Sequence, residues 1–327
     1  MNNKEKKEKI VNFCKSLGLD TLGVTSIRRL TELEEHLIYR KNNELENEFE
    51  SQDIESRINL ESFLEGGKSI ISIAFPYLFN DENTTDHVYF SKYTLGQDYH
   101  KVVTNYLKQI CEYISELGGN SIYFVDSNPL PERYIANLCG VGFIGKNNMI
   151  ITEKYGSFVF LGEIITDLEL EEDEKIPSKC GDCDLCLKAC PTKSIKEGIS
   201  NSNICLSYIT QKKNIEKEWF GLLNGRLFGC DTCQTVCPHN RKVIESNIKE
   251  FKPFPFMESP NIEELIKLDN KAFKEKYRLT SSGWRGKNII IRNAMINAFI
   301  DGKFDPNLVK DISSPYLKDY YNRLLEL

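Results

Sequence analysis

No apolar run in this 327-residue chain comes near the roughly 18 residues that a membrane-crossing helix needs. The N-terminus, MNNKEKKEKIVNF, carries the charges of an export signal but no long apolar stretch after them, so a cytoplasmic protein is expected. The composition is neither collagen-like nor that of a largely disordered chain, with 40% hydrophobic and 28% charged residues. There is no long-period internal repeat, although the last two helical patterns could form one helical-repeat hairpin. An excess of positive charge is also lacking. The chain has 42 Lys and Arg against 48 Asp and Glu, a net charge of -6, and the whole-chain figure gives no hint of nucleic acid. A globular chain of two or three domains is what remains, at roughly 100–200 residues each.

The sequence is rich in cysteine, and unevenly so. Eight of its eleven cysteines fall between 180 and 237, while Cys14, Cys111 and Cys139 stand alone and are expected to be buried small hydrophobes. Disulfides are disfavoured in a reducing compartment, so metal ligation is the better reading of the eight. The run Cys180, Cys183, Cys186, Cys190-Pro191 has the C-x2-C-x2-C-x3-C-P spacing of a bacterial ferredoxin [4Fe-4S] site. Zinc would need only two Cys pairs and has no use for the trailing Cys-Pro. A second run, Cys230, Cys233, Cys237-Pro238, is one ligand short, and isolated Cys205 completes it. In two-cluster ferredoxins the last cysteine of each run reaches across to the other cluster. Cys180, Cys183, Cys186 and Cys237 are therefore assigned to one cubane, and Cys190, Cys205, Cys230 and Cys233 to the other.

Upstream, helix-like and strand-like segments alternate, as in an α/β domain. Lys4–Leu17 and Tyr99–Leu117 show helical spacing. Thr21–Thr25, Ser69–Phe75 and Ser121–Val125 read as strands, and Met149–Thr152 with Ser157–Ile165 as a hairpin-like pair. The acidic stretch Glu169–Glu174 reads as a solvated linker. The expected domains are 1–168 (α/β), 169–250 (ferredoxin-like) and 251–327 (helical). Two clusters carry electrons but rarely break bonds, so either the chain is a plain carrier or its large α/β domain holds a second cofactor. Gly140, Gly142 and Gly145 fit G-x-G-x-x-G, but a dinucleotide fingerprint follows a strand and opens a helix. Here a helix precedes (Glu132–Leu138) and a strand follows, so a turn that lets the backbone approach another group is preferred. Asp126 ends an apolar strand, where open α/β sheets bind ligands. Taken alone it is more readily a cap of the turn or of the following helix.

Several segments together carry a family signature. They are Arg57–Ile71 (RINLESFLEGGKSII), Gly96–His100 (GQDYH), Val125–Asn147 (VDSNPLPERYIANLCGVGFIGKN), Cys205–Gln211 (CLSYITQ), Gly225–Pro238 (GRLFGCDTCQTVCP) and Gly283–Asn293 (GWRGKNIIIRN). With the cysteine runs they span nearly the whole chain, which resembles the cobalamin-dependent epoxyqueuosine reductases. The resemblance implies an α/β cobalamin-binding domain, a ferredoxin-like domain with two [4Fe-4S] clusters and a short HEAT-like tail. It implies base-off cobalamin, resting as cob(II)alamin, and a two-electron reduction of an epoxide to an alkene on the wobble nucleoside of tRNA. It makes Asp126 the proton donor, a role for which a carboxyl's pKa would have to be raised by burial or a neighbouring charge. It places cofactor contacts at Arg57, Ser91, Asp126, Ile150, Leu161, Ser207 and Asp231, and a tRNA contact at Lys213. Ser91 departs from relatives that carry Cys there. The implied partners are the tRNA anticodon stem-loop and an unidentified electron donor. A monomer away from any membrane is expected.

Read by region, the charge supports an RNA partner. Residues 211–300 hold sixteen Lys and Arg against ten Asp and Glu, among them Lys212, Lys213, Arg226, Arg285 and Arg292. Two rivals remain at this level. One is a reductive dehalogenase-like enzyme acting on a small molecule, whose usual export signal is not seen here. The other is a non-catalytic electron-transfer protein.

Overall fold

The computed structural model describes residues 1–79, 88–196, 198–310 and 312–327. Its centre is a four-stranded sheet of β1 (Leu22–Ser26), β2 (Ser69–Pro76), β3 (Ser121–Phe124) and β4 (Val159–Thr166), in the order β1-β2-β4-β3. All three pairings are antiparallel, with Ile71 opposite both Val24 and Ile164, and Ile122 opposite Ile165. Every residue of β2 is buried, which explains its unbroken apolar run: a central strand covered on both faces has no polar side to alternate with.

Helices α1 (Asn3–Ser16) and α2 (Tyr99–Glu116) cover one face. Ile10, Cys14, Val103, Leu107, Ile110 and Ile114 pack there against Ile71, Ile73 and Ile164. Helix α3 (Glu132–Leu138) covers the other, where Ile135, Ala136 and Cys139 meet Ile70, Ala74, Leu161 and Ile165. Cys14 and Cys139 are buried as expected, and Cys111 partly so.

Two expectations need correction. Residues 150–151 do not pair with β4. They form a small antiparallel ladder with Phe143–Ile144, and only a single bridge joins Thr152 to Gly156. The acidic stretch is exposed at Glu169, Glu171, Glu172 and Glu174, but two of its carboxylates also bind the sheet, so it is more than a solvated linker. Asp173 accepts the Val24 amide at 2.8 Å and pairs with Lys7 at 2.7 Å, while Glu172 accepts the Ser26 amide at 3.1 Å. These carboxylates satisfy the outer edge of β1, which an exposed edge strand would leave open. One hydrophobic core joins Val88, Phe90 and Leu95 with Leu206–Phe228 and with α4 (Lys287–Ile300) and α5 (Pro315–Leu325). The tail is thus built into the body that carries the cysteines. Among the described residues, no helix is long and apolar enough to cross a membrane.

Candidate active site

The eight clustered cysteines fold into two groups. Burial raises the Cys186 and Cys237 thiols, and negative charge on Cys180 raises both further, with Cys237 acting on Cys186 and Cys183 on Cys237. Burial likewise raises Cys205 and Cys233, which share the influence of Cys230 and Cys190. Each of these influences runs within one of the two expected sets of four. Among the described residues, no three Cys, His, Asp or Glu converge tightly enough for a single ion, whereas a cubane of iron and sulfide holds its thiolates further apart. Donors also point at the sulfurs, a feature that tunes iron–sulfur clusters. The Lys146 amide lies 3.4 Å from Cys180 Sγ, and Arg226 Nε 3.3 Å from Cys230 Sγ.

The glycine loop serves this arrangement. At Gly142 a Cβ would meet the Ile151 carbonyl at 2.5 Å, so the loop closes tightly on the next strand. That closure presents the Lys146 amide to one thiol set, while Asn147 Nδ2 reaches the Cys233 carbonyl at 3.4 Å in the other. It makes no dinucleotide cradle.

Two adjoining cavities, of about 360 and 1040 Å3, share Glu50, Tyr93, Tyr99 and Asp126 in their walls. The smaller is lined by Cys205, Cys230 and Cys233, by Asp126, and by the apolar faces of Tyr77, Phe160 and Leu161. Of the expected cofactor contacts, Asp126, Leu161 and Ser207 line this cavity. Ser91 and Asp231 sit behind the wall. Ser91 is fully buried and its hydroxyl bonds Asp231, whose other oxygen accepts the Lys92 amide at 2.7 Å. Burial raises the Asp231 carboxyl despite these bonds. Ile150 is 2% exposed in the core behind α3. Arg57 is engaged by Glu46 at 2.7 Å and Glu50 at 3.7 Å. Two cations that the sequence reading missed, Arg40 and Arg133, stand in the cavity wall instead.

Asp126 follows β3 with a left-handed backbone (φ 48°), and its amide donates to Glu132 Oε1 at 2.8 Å. Its Oδ2 accepts from the Tyr99 hydroxyl at 2.5 Å and lies 3.2 Å from His100 Nε2. Asp98 caps α2 by accepting the His100 amide and holds His100 Nδ1 at 2.8 Å. The Tyr99 ring stacks on Phe160 with centroids 4.2 Å apart. The expected dry pocket and raised pKa are not found. The Asp126 side chain is 55% exposed. Desolvation raises its pKa, but the bonds from His100 and Tyr99 outweigh it and hold the carboxyl below its usual range. Burial works against charge on His100, yet Asp126 and Asp98 prevail and push it up to about 9. The proton at neutral pH thus rests on the imidazole. A second carboxyl, Glu132 in the same cavity wall, is pushed up to about 7 by burial and by Asp126. Behind it Glu163 is fully buried and held protonated by that burial, with Ser72 on one oxygen and, among the described residues, no partner on the other. Nothing local in the sequence marks Glu132 or Glu163 as acids of the site. His100 could be suspected only from its place in GQDYH.

Lys213 is exposed, on a segment whose carbonyls are held from beneath. Arg292 donates to Thr210 O at 3.0 Å and Lys213 O at 3.1 Å, and Asn293 to Thr210 O at 2.8 Å. Arg292 is wholly buried and Arg226 nearly so, which removes both from the basic surface expected from sequence.

Residues 57–127 match the family model described as Epoxyqueuosine reductase QueG, DUF1730, and residues 179–240 match a 4Fe-4S double cluster binding domain. The epoxyqueuosine reductase of Bacillus anthracis is 34% identical over 333 residues, covering 97% of this chain and 88% of its own. That of Bacillus subtilis is 35% identical over 306 residues, covering 90% and 79%. An epoxyqueuosine reductase solved with an epoxyqueuosine-modified tRNA-Tyr stem loop matches with a TM-score of 0.92 at 32% identity, covering 99% of this chain and 90% of that one. A Bacillus subtilis structure, with its aspartate-bearing catalytic loop swung out of the active site, matches with a TM-score of 0.91 at 31% identity, covering 99% and 90%. Relatives this similar along nearly the whole chain show that the chain belongs to the epoxyqueuosine reductase family of oxidoreductases.

Proposed function

We propose that this chain reduces epoxyqueuosine to queuosine at the wobble position of tRNA, the last step of queuosine biosynthesis. Two [4Fe-4S] clusters would supply the electrons, and the cavity beside Asp126 would hold a base-off cobalamin. The observation that carries this reading is a cavity lined both by Cys205, Cys230 and Cys233 and by Asp126. Electrons and a proton could then meet over one reacting group.

The two adjoining cavities together suit a large cofactor with a flat ring and a polar, amide-bearing rim. Tyr77, Phe160, Leu161 and Val159 offer apolar faces, and Ser207, Asn147 and Arg133 offer polar groups. When bound, cobalamin supplies a strongly reducing or nucleophilic metal centre. Arg57, Ile150, Leu161, Ser207 and Asp231 remain its proposed contacts, with Ser91 acting through Asp231. The proposed division of labour gives residues 1–168 the cofactor and 169–250 the clusters, with 251–327 helping to form the RNA-facing side.

Turning an epoxide into an alkene breaks two C–O bonds, consumes two electrons and two protons, and releases water. Asp126, held ionised by His100, would hand on a proton drawn from the imidazole as negative charge develops on the leaving oxygen. Glu132 is suited to furnish the second. Turnover is expected to fall in two steps as pH rises, through about 7 where Glu132 loses its proton and through about 9 where His100 does, the second being the alkaline limb. In His100→Gln that alkaline limb should vanish, because no group there titrates near 9. The Asp126 pKa should rise as its cationic partner is lost. A pH profile of kcat at saturating RNA measures both, and an unchanged alkaline limb would remove His100 from the proton path.

Lys213 is proposed as a phosphate contact. Lys213→Glu should weaken binding of the tRNA stem-loop and lower the slope of log affinity against log salt by about one. An unchanged slope would take Lys213 off the RNA surface. The cofactor is tested by the visible spectrum of anaerobic protein loaded with cobalamin. Base-off cob(II)alamin absorption beside the iron–sulfur bands is expected, and failure to retain cobalamin would overturn that assignment.

A further inference from the structure

The larger cavity runs from Asp126, Tyr99 and His100 to a wall that the chemistry above leaves unused, made by Phe49 and Trp284. Both rings are open to solvent, Phe49 at 41% and Trp284 at 53%. Their centroids lie 5.1 Å apart at an interplanar angle of 70°. The Arg285 guanidinium sits 4.9 Å from the Trp284 ring and 5.2 Å from Phe49.

This wall is fixed in place. Trp284 Nε1 donates to Gln211 Oε1 at 3.0 Å, and Arg285 Nε to the Gln211 carbonyl at 3.0 Å. Arg285 Nη2 reaches Glu48 at 3.1 Å, and Phe49 meets Tyr208 edge-on at 5.2 Å. The segment that anchors Gln211 is the one Arg292 and Asn293 hold from below. Rigid, exposed aromatic faces flanked by a guanidinium offer what an unstacked base needs: a surface to stack on and positive charge near its phosphates. Lys212, 6.0 Å from the Tyr208 ring, and exposed Lys213 add to that charge.

We propose that Trp284, with Phe49 and Arg285, is a stacking platform for one unstacked base of the anticodon loop, a neighbour of the nucleoside whose epoxide lies at Asp126. The proposal rests on the RNA substrate argued above and adds to it where the flanking base goes. Occupancy by a base accounts for two large aromatics left open to water beside a catalytic cavity.

The test is a double-mutant cycle in binding, using cluster-loaded protein and anticodon stem-loops that are intact or abasic at either position flanking the wobble nucleoside. Trp284→Ala should weaken binding of the intact stem-loop about tenfold or more, with iron content unchanged. Trp284→Phe should recover most of the loss. On one of the two abasic stem-loops the Trp284→Ala penalty should largely disappear. Equal affinity of Trp284→Ala and wild type, or the same penalty on intact and both abasic stem-loops, would overturn the platform. A chain that shows the cycle but fails to reduce epoxyqueuosine would keep the platform and lose the reaction. One that reduces it but lacks the cycle would do the reverse.

Discussion

Asp126→Asn is expected to keep both clusters and bound cobalamin and to lose most turnover, by about a hundredfold or more, the usual worth of a positioned proton-transfer group. The amide matches the carboxylate in shape and can still accept the Tyr99 hydroxyl, which bonds Asp126 Oδ2 at 2.5 Å. It cannot take a proton from His100 and pass it on. It also removes the negative charge that, with Asp98, pushes His100 up to about 9, so the imidazole pKa should fall. The variant thus loses both the relay and part of the reservoir. Wild-type turnover in Asp126→Asn would sink this assignment.

Cys205→Ala is expected to be as damaging by a different route. Cys205 lies 25 residues before Cys230 in sequence, yet its thiol shares a neighbourhood with Cys230, Cys233 and Cys190 and lines the cavity. Losing it should empty the cavity-side cluster while Cys180, Cys183, Cys186 and Cys237 keep the other. Iron should fall to about half the wild-type content, and turnover should be abolished because electrons would have no carrier beside the cavity. Full iron content in the variant would show that Cys205 is not a ligand. Half the iron with full turnover would show that the cavity-side cluster is not the donor.

What the sequence made legible follows from what local spacing can encode. A grouping of the eight thiols could be proposed because ferredoxin spacing indicates which cysteines reach which cluster. Helix α2 and strand β2 could be read because one carries a 3.6-residue period and the other an unbroken apolar run. Asp126 was locatable at a strand end, but the sign of its pKa was not. Its partners Tyr99 and His100 arrive from the start of α2, 27 and 26 residues away, and only the fold brings them to it. The same holds for Asp173 on β1, where a run of acids looks solvated until an edge strand is seen beneath it. Arg292 looked like an RNA contact by charge alone. Inside the fold it is a wholly buried clamp on the carbonyls of the loop that displays Lys213. The shared core of Phe90 and Leu95 with α4 and α5 joins segments some 200 residues apart, which no local pattern reports.

The central claim is a reduction of epoxyqueuosine in RNA that depends on the site lined by Asp126 and Cys205. The most direct measurement is nucleoside analysis after anaerobic incubation of epoxyqueuosine-containing tRNA with the cobalamin-loaded, cluster-replete protein and a chemical reductant. Conversion to queuosine in the wild type, absent without cobalamin and largely lost in Asp126→Asn, is the predicted result. Epoxyqueuosine left unchanged by wild-type protein that holds its cobalamin and full iron would contradict it.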